Sequence, residues 1–424
     1  MPNKIELFAD WSGFLADFWE KKPAVLKGWL KEPIVSPDDL FEAMICAAHD
    51  WLDTGNRTFS MWINNQLVNE YSKFLPSESD KTLASYLDRI TGIPVSREFT
   101  YAQNNMQVHS EKIWYRARSF IHGLISRIGI PTDEVDVDTF IGRYTFTPRG
   151  IHTDQASTFM HVIEGTKRML VWPPDFFNDK NVKIVGTHLR KTIVDFDYRD
   201  VANEATVLEG NTGDILYWPS SYWHISTSDN PQNTTAILNV GVFFGEKQKS
   251  LLFDVTNQVL NRVLRDFHLT KVYPLTHAYE TPESELKSLT IFRGIMNSQY
   301  IEQIFKEEFL KRCSNYGFRK HPRMRPIDDI SSDQCITKEE LSIVLWDLNG
   351  KEVTIFANGY SFVVEEPQLI PILEYLNGGG TTTVSSLARM FSLDESLVKQ
   401  LLRQLYAARA IEFVGTFASL SNRG

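Results

Sequence analysis

The chain has 424 residues, a net charge of −9, and 42% hydrophobic against 23% charged residues. That balance fits an ordinary globular protein and excludes a disordered or fibrous chain. No window approaches the roughly 18 apolar residues of a membrane-spanning helix, and the acidic charge argues against broad nucleic-acid binding while suiting a basic protein substrate.

The N-terminus is mixed in charge, unlike a secretory leader. The three cysteines, Cys46, Cys313 and Cys335, are odd in number and far apart, so no disulfide framework is expected. Both features lead us to expect a cytoplasmic protein.

Residues 1 to about 135 read as mostly helical, with short extended pieces such as Ala24–Lys27. In "SPDDLFEAMICAAHDWL", Ser36 has the character of an N-cap followed by acidic residues in the first turn. "SEKIWYRARSFIHGLISRIGI" carries apolar residues at helical spacing and stops at a Gly-Ile-Pro break.

From about 138 to 245 the pattern changes. "DTFIGRYTFT", "STFMHVIEG", "KRMLVWPP", "DILYWPS" and "TTAILNVGVFFG" are rich in β-branched and aromatic residues and bounded by turn formers. Several short strands without an intervening long helix predict a sandwich or barrel. Helical periodicity returns over 246–315, including Ser298–Phe309, followed by a basic stretch, "FRKHPRMRP". From 350 onward two strand pieces, "EVTIFA" and "YSFVVEE", precede three helices and a closing "IEFVG", an order that reads as a winged helix. Residues 350–424 hold six Lys or Arg against seven Asp or Glu, too few cations for a phosphate-binding footprint. Peptide or protein contact is the better expectation there.

The chemistry concentrates in "GIHTDQASTFMHVIEGTKRMLVWPPDFF" and "GDILYWPSSYWH". His152 and Asp154 are two apart at the head of a strand, so their side chains share a face. With His224 they make two imidazoles and one carboxylate, the facial set of non-haem Fe(II) oxygenases, which leaves coordination positions open. A closed zinc site is the poorer fit. Lys167, thirteen residues beyond Asp154, lies in an apolar strand. Pointing inward, its ammonium needs a carboxylate partner, and a bound dicarboxylic acid supplies one; pointing outward, it is a surface lysine. Arg168 faces the other way. His161 reads as packing rather than ligand, and His188 as a surface histidine that could face substrate. Among the aromatics Trp172, Tyr217, Trp218, Tyr222 and Trp223, most are expected in the core, with Tyr222 or Trp223 at the entrance.

These two segments resemble the Jumonji-C family of Fe(II)- and 2-oxoglutarate-dependent oxygenases, including the spacing from H-x-D to lysine. The resemblance implies a double-stranded β-helix of the jelly-roll or cupin type within an α+β protein. It implies that His152, Asp154 and His224 bind iron and that Lys167 pairs with the distal carboxylate of 2-oxoglutarate. Asn239 matches a polar cosubstrate contact, Thr158 falls near the other end of 2-oxoglutarate, and Thr147 is a further candidate. O2 is the second cosubstrate.

"FLADFWEKKPAVLKGW" is similar to the opening of ribosomal oxygenases, which add a helical dimerisation region and a C-terminal winged helix. That layout implies an oxygenase domain over 1–245 with its β-helix core at about 138–245, a dimerisation region over 246–340, a winged helix over 350–424, and a homodimer. Bacterial members of that subgroup commonly carry arginine where Lys167 stands. The expected function is hydroxylation of an amino-acid side chain on a protein or peptide, either a ribosomal protein or a ribosomally made precursor peptide. The alternatives are a non-catalytic winged-helix regulator whose cupin core senses a metal or small acid, and a metal-dependent cupin isomerase or hydrolase.

Overall fold

A computed structural model of the chain describes residues 8–92, 97–180, 182–188, 191–244, 251–265, 299–327 and 329–414, with short pieces at 289–290 and 293–294. Only the backbone is described for 186–188, 191, 262–265 and 299–300. The chain divides into two compact units, Met1–Phe244 with Phe318–Arg323, and Gly245–Gly317 with Met324–Gly424.

The first unit is built on fourteen strands among the described residues: β1 (Ala24–Leu26), β2 (Phe59–Ile63), β3 (Gln66–Leu67), β4 (Phe99–Gln103), β5 (Glu134–Arg143), β6 (His152–Asp154), β7 (Ala156–Glu164), β8 (Thr166–Trp172), β9 (Lys183–His188), β10 (Lys191–Asp195), β11 (Thr206–Asn211), β12 (Ile215–Trp218), β13 (Trp223–Thr227) and β14 (Thr235–Phe243). They form an eight-stranded sheet, β1-β12-β7-β14-β5-β4-β2-β3, and a six-stranded sheet, β11-β8-β13-β6-β10-β9. Pairing is antiparallel throughout both sheets.

Side chains of the two sheets meet in one apolar cluster. Met160, Leu216, Trp218 and Ile237 come from the larger sheet, and Met169, Val171 and Leu208 from the smaller. Alternation along each strand therefore divides every strand into an inner face, toward the other sheet, and an outer face. On the outer face of the larger sheet Trp11, Phe14 and Phe120 pack edge-on or tilted against Phe159 and Tyr217. Phe120 lies on the helix Glu111–Ile128, capped by Ser110, as its apolar periodicity predicts. The helix Pro37–Thr54 begins with the Ser36–Asp39 capping box.

Gly165 makes the turn from β7 to β8. Its φ is +80° and an added Cβ would stand 2.1 Å from the Thr234 carbonyl oxygen, so only glycine fits.

The N-terminal stretch expected to be mostly helical also contributes β2 and β4, which widen the larger sheet. Every residue of β4 is buried, so it shows no alternation to read.

His161 sits on the outer face of β7 with its ring edge-on to Phe120 at 4.5 Å. Among the described residues neither ring nitrogen has a hydrogen-bond partner, and burial lowers its pKa to about 3. The unfolded chain therefore binds a proton below pH 6.5 that the folded chain refuses. This group's share of stability is complete above pH 6.5 and falls by up to about 1.4 kcal/mol per unit as pH drops toward 3. His161→Leu is expected to raise stability by about 1–3 kcal/mol. The gain should be larger at pH 5 than at pH 7.5, measured as urea midpoints; an equal gain at both would mean the ring is protonated or hydrated in the fold.

In the second unit the helices Leu251–Arg265 and Gln299–Ser314 pack through Val255, Val259, Ile301 and Ile304. Arg312 and Asp254 form an ion pair at 2.7 Å. Strands β15 (Cys335–Lys338), β19 (Thr381–Thr383) and β20 (Ile411–Val414) make one small sheet, and β16 (Val344–Asn349), β17 (Glu352–Ala357) and β18 (Tyr360–Val364) another. The helices Ile370–Asn377, Val384–Phe391 and Glu395–Ala407 close a core with them around Ile336, Val353, Ile372, Leu387 and Leu402. The strand pieces and helices follow the order read from the sequence, with β15, β16 and β19 additional.

No helix among the described residues is long and apolar enough to cross a membrane.

Candidate metal centre

The turn before β6 is tied down by backbone bonds. The Thr147 amide donates to the Ser226 carbonyl, and the Gly150 amide donates to the Thr147 carbonyl. Gly150 has a φ of +68°. The segment then enters β6, where His152 stands directly opposite His224 of β13. His224 follows a corner at Pro219 that closes with Ser221 in the left-handed region, at a φ of +68°. The Ser221 amide donates to the Asp154 carbonyl, tying that corner to β6.

His152, Asp154 and His224 thereby converge, with ligand atoms within 4.8 Å of one another. Asp154 Oδ2 is 3.9 Å from His152 Nε2 and 3.5 Å from His224 Nε2, and the two imidazole rings are 4.3 Å apart. His152 Nδ1 donates to the Gly150 carbonyl at 2.9 Å, and His224 Nδ1 to the Tyr222 carbonyl at 2.9 Å. Both bonds place the proton on Nδ1, so that Nε2 carries the lone pair a cation would take. Both histidines are buried and Asp154 is half-buried. Two imidazoles and one carboxylate, preoriented and largely shielded from water, fit a divalent metal with open positions.

The register extends this face. Val171 of β8 lies opposite His224, and Lys167, four residues earlier, shares its side of the strand. Lys167 is 2% exposed. Its Nζ donates to the Tyr144 hydroxyl at 2.6 Å and lies 5.2 Å from that ring's centre. No carboxylate pairs with it among the described residues. Arg168 points outward to an exposed ion pair with Asp229 at 2.8 Å.

On the larger sheet, Thr158 and Gly241 pair, as do Met160 and Asn239, all on the inner face. Asn239 donates to Asp138 Oδ1 at 2.6 Å, while its own Oδ1 is buried without a partner among the described residues. Asp136, two residues before Asp138, has its carboxyl raised to about 7, first by burial and then by Glu134, against a hydrogen bond from Gln107. Thr147 and Thr158 are buried. Thr147 supports the approach to β6 through its backbone.

Of the aromatics, Trp172, Tyr217 and Trp218 are core, whereas Tyr222 and Trp223 are half-buried. The side chain of His188 lies outside the described residues. Tyr144, the hydrogen-bond partner of Lys167, is a residue that the sequence reading missed. It carries no motif, and its one signal is its place at the end of an expected strand shortly before H-x-D.

The basic stretch after Phe318 is largely committed to internal pairs. Arg319 bonds Asp133 at 3.1 Å, Arg323 bonds Asp50 at 2.5 Å, and Arg325 bonds Glu412 at 3.0 Å. In the helix Glu395–Ala407, Lys399 pairs with Glu395 at 3.0 Å and Arg403 with Asp329.

The chain has the fold of a ribosomal oxygenase. A crystal structure of Escherichia coli YcfD matches it with a TM-score of 0.55 and 19% identity, over 97% of this chain and 100% of that one. A second structure, described as the ribosomal oxygenase YcfD, matches at 0.51 and 17% over the same shares. A third, of that protein in complex with cobalt and 2-oxoglutarate, matches at 0.50 and 18%. No family model and no curated protein matches the sequence.

Proposed function

We propose that the chain is an Fe(II)- and 2-oxoglutarate-dependent oxygenase that hydroxylates a side chain on a protein or peptide. The observation that carries this reading is Lys167. A buried ammonium with, among the described residues, only a tyrosine hydroxyl beside it is costly, and it shares a face with a His-Asp-His cluster. A dicarboxylic acid reaching from the metal to Lys167 satisfies both. The likeness to YcfD, solved with cobalt and 2-oxoglutarate, supports the same assignment.

His152, Asp154 and His224 would hold the metal, which supplies oxygen activation coupled to oxidative decarboxylation of 2-oxoglutarate. Lys167 and Tyr144 would bind the distal carboxylate by charge and hydrogen bond. Asn239, Thr158 and Thr147 are the further cosubstrate-side candidates. The apolar cluster between the sheets keeps water from the reacting centre. Asp136 and Asp138 on the inner face favour a substrate side chain that is cationic or rich in hydrogen-bond donors.

The two facing sheets are the jelly-roll of such an enzyme in this reading. Residues 246–340 serve as a dimerisation region and 350–424 as a winged helix that contacts protein or peptide, in a homodimer. A ribosomal protein is the favoured substrate, because the matched structures are of a ribosomal oxygenase; a precursor peptide is the second candidate. The internal ion pairs of Arg319, Arg323 and Arg325 leave little of that stretch for nucleic acid.

The test is intact-mass analysis of ribosomal proteins and small peptides from cells with and without the gene. The expected result is one added oxygen that disappears with the gene and with His152→Ala. No oxygen-dependent mass change in either pool would remove protein hydroxylation and return the sensing role.

A further inference from the structure

Trp218 ends β12 on the inner face, opposite Thr158 of β7. Its side chain is 2% exposed, and its indole Nε1 is a buried donor with no hydrogen-bond partner among the described residues. An orphaned N–H of this kind is uncommon in a folded protein and costs free energy unless something binds it. Its surroundings in the fold are apolar: Met160, Met169, Val171 and Leu216 belong to the same cluster. The polar neighbour is the site itself. The indole ring centre lies 5.0 Å from that of His224, and the paired row Trp218–Thr158–Gly241 runs across the inner face with no side chain at its far end.

We propose that the Trp218 N–H is the donor kept for the metal-side carboxylate of the 2-oxoacid, at the opposite end of the ligand from Lys167. This rests on the cosubstrate reading above. A dicarboxylate seated between the two groups has a cation at one end and a neutral, water-shielded donor at the other. The neutral donor suits the end whose charge is already shared with a metal, because a second cation there would oppose metal binding. Trp218 is then a cosubstrate-positioning residue, and it gives the site a preference for 2-oxoacids over dicarboxylates such as succinate.

The test uses Trp218→Phe, which keeps an aromatic ring and removes only the donor. Calorimetric titration of Co(II), and then of 2-oxoglutarate or succinate into the Co(II)-loaded full chain, gives the readouts. The expected result is unchanged Co(II) affinity, 2-oxoglutarate weakened roughly tenfold as for one hydrogen bond to a charged acceptor, and succinate nearly unaffected. The Co(II) absorption bands of the 2-oxoglutarate complex should shift as well. If the variant binds 2-oxoglutarate as tightly as the parent, or loses Co(II) and both acids together, the indole only packs and the assignment falls. If the parent chain binds Co(II) but no 2-oxoglutarate, the cosubstrate reading falls with it, and the parent titration alone reveals that case.

Discussion

Lys167→Ala is expected to weaken 2-oxoglutarate binding by roughly 10²- to 10⁴-fold, as loss of one partner from a buried charge pair costs about 3–5 kcal/mol. Co(II) affinity should hardly change, because Lys167 lies four residues along β8 from the position opposite His224. Lys167→Arg should retain part of the affinity, since it keeps the charge but must fit a broader fork beside Tyr144. The ligand-free protein gives an opposite signature. With the ammonium 2% exposed and no carboxylate among the described residues paired to it, Lys167→Met is expected to stabilise the apo protein by about 1–4 kcal/mol. A stability curve in urea without ligand and a titration with 2-oxoglutarate therefore move in opposite directions. If Lys167→Ala left 2-oxoglutarate affinity intact, the carboxylate would have to bind elsewhere, and the third class, a metal-dependent cupin isomerase or hydrolase, would gain.

Asp154→Ala is expected to lower Co(II) affinity by more than roughly 10²-fold, beyond the range seen when only a supporting group of a metal ligand is lost. Hydroxylation should vanish with it. The fold should survive: Asp154 is half-buried at the end of a three-residue strand, and the bond from Ser221 uses its backbone carbonyl. Thermal melting with and without Co(II) separates the two effects. The parent should gain stability on adding metal, by linkage, and the variant should gain none. A variant that melts early without metal would mean Asp154 holds the corner before β13 together, and the loss of binding would then say nothing about ligation.

The donor set was legible in one dimension, whereas Lys167 was left open between an inward and an outward direction, which its burial decides. An H-x-D pair at a strand head shares a face by the two-residue period, and alternation places Lys167, Met169 and Val171 on one side of β8. Ser36 as a cap and the helix over Glu111–Ile128 followed from local hydrogen bonding and from apolar spacing. In the small C-terminal unit β17, β18, β20 and the three helices were readable in the same way, while β15, β16 and β19 were not.

Partner selection was not legible. That Tyr144 meets Lys167, that Asn239 bonds Asp138, and that Arg319, Arg323 and Arg325 are consumed by Asp133, Asp50 and Glu412 are matters of which distant segments the two sheets and their flanking helices bring together. β2 and β4 were hidden because a short strand inside a sheet takes its identity from its neighbours, and a fully buried one carries no alternation. The isolated nitrogens of His161 and Trp218 belong to the same class, since a lack of partners is a property of surroundings. Sequence by itself determined which chemical groups stand at which strand positions, because side-chain alternation and donor type are local. Only the tertiary structure decided which of those groups are satisfied and which remain open to a ligand, because burial and pairing arise from contacts made across the whole unit.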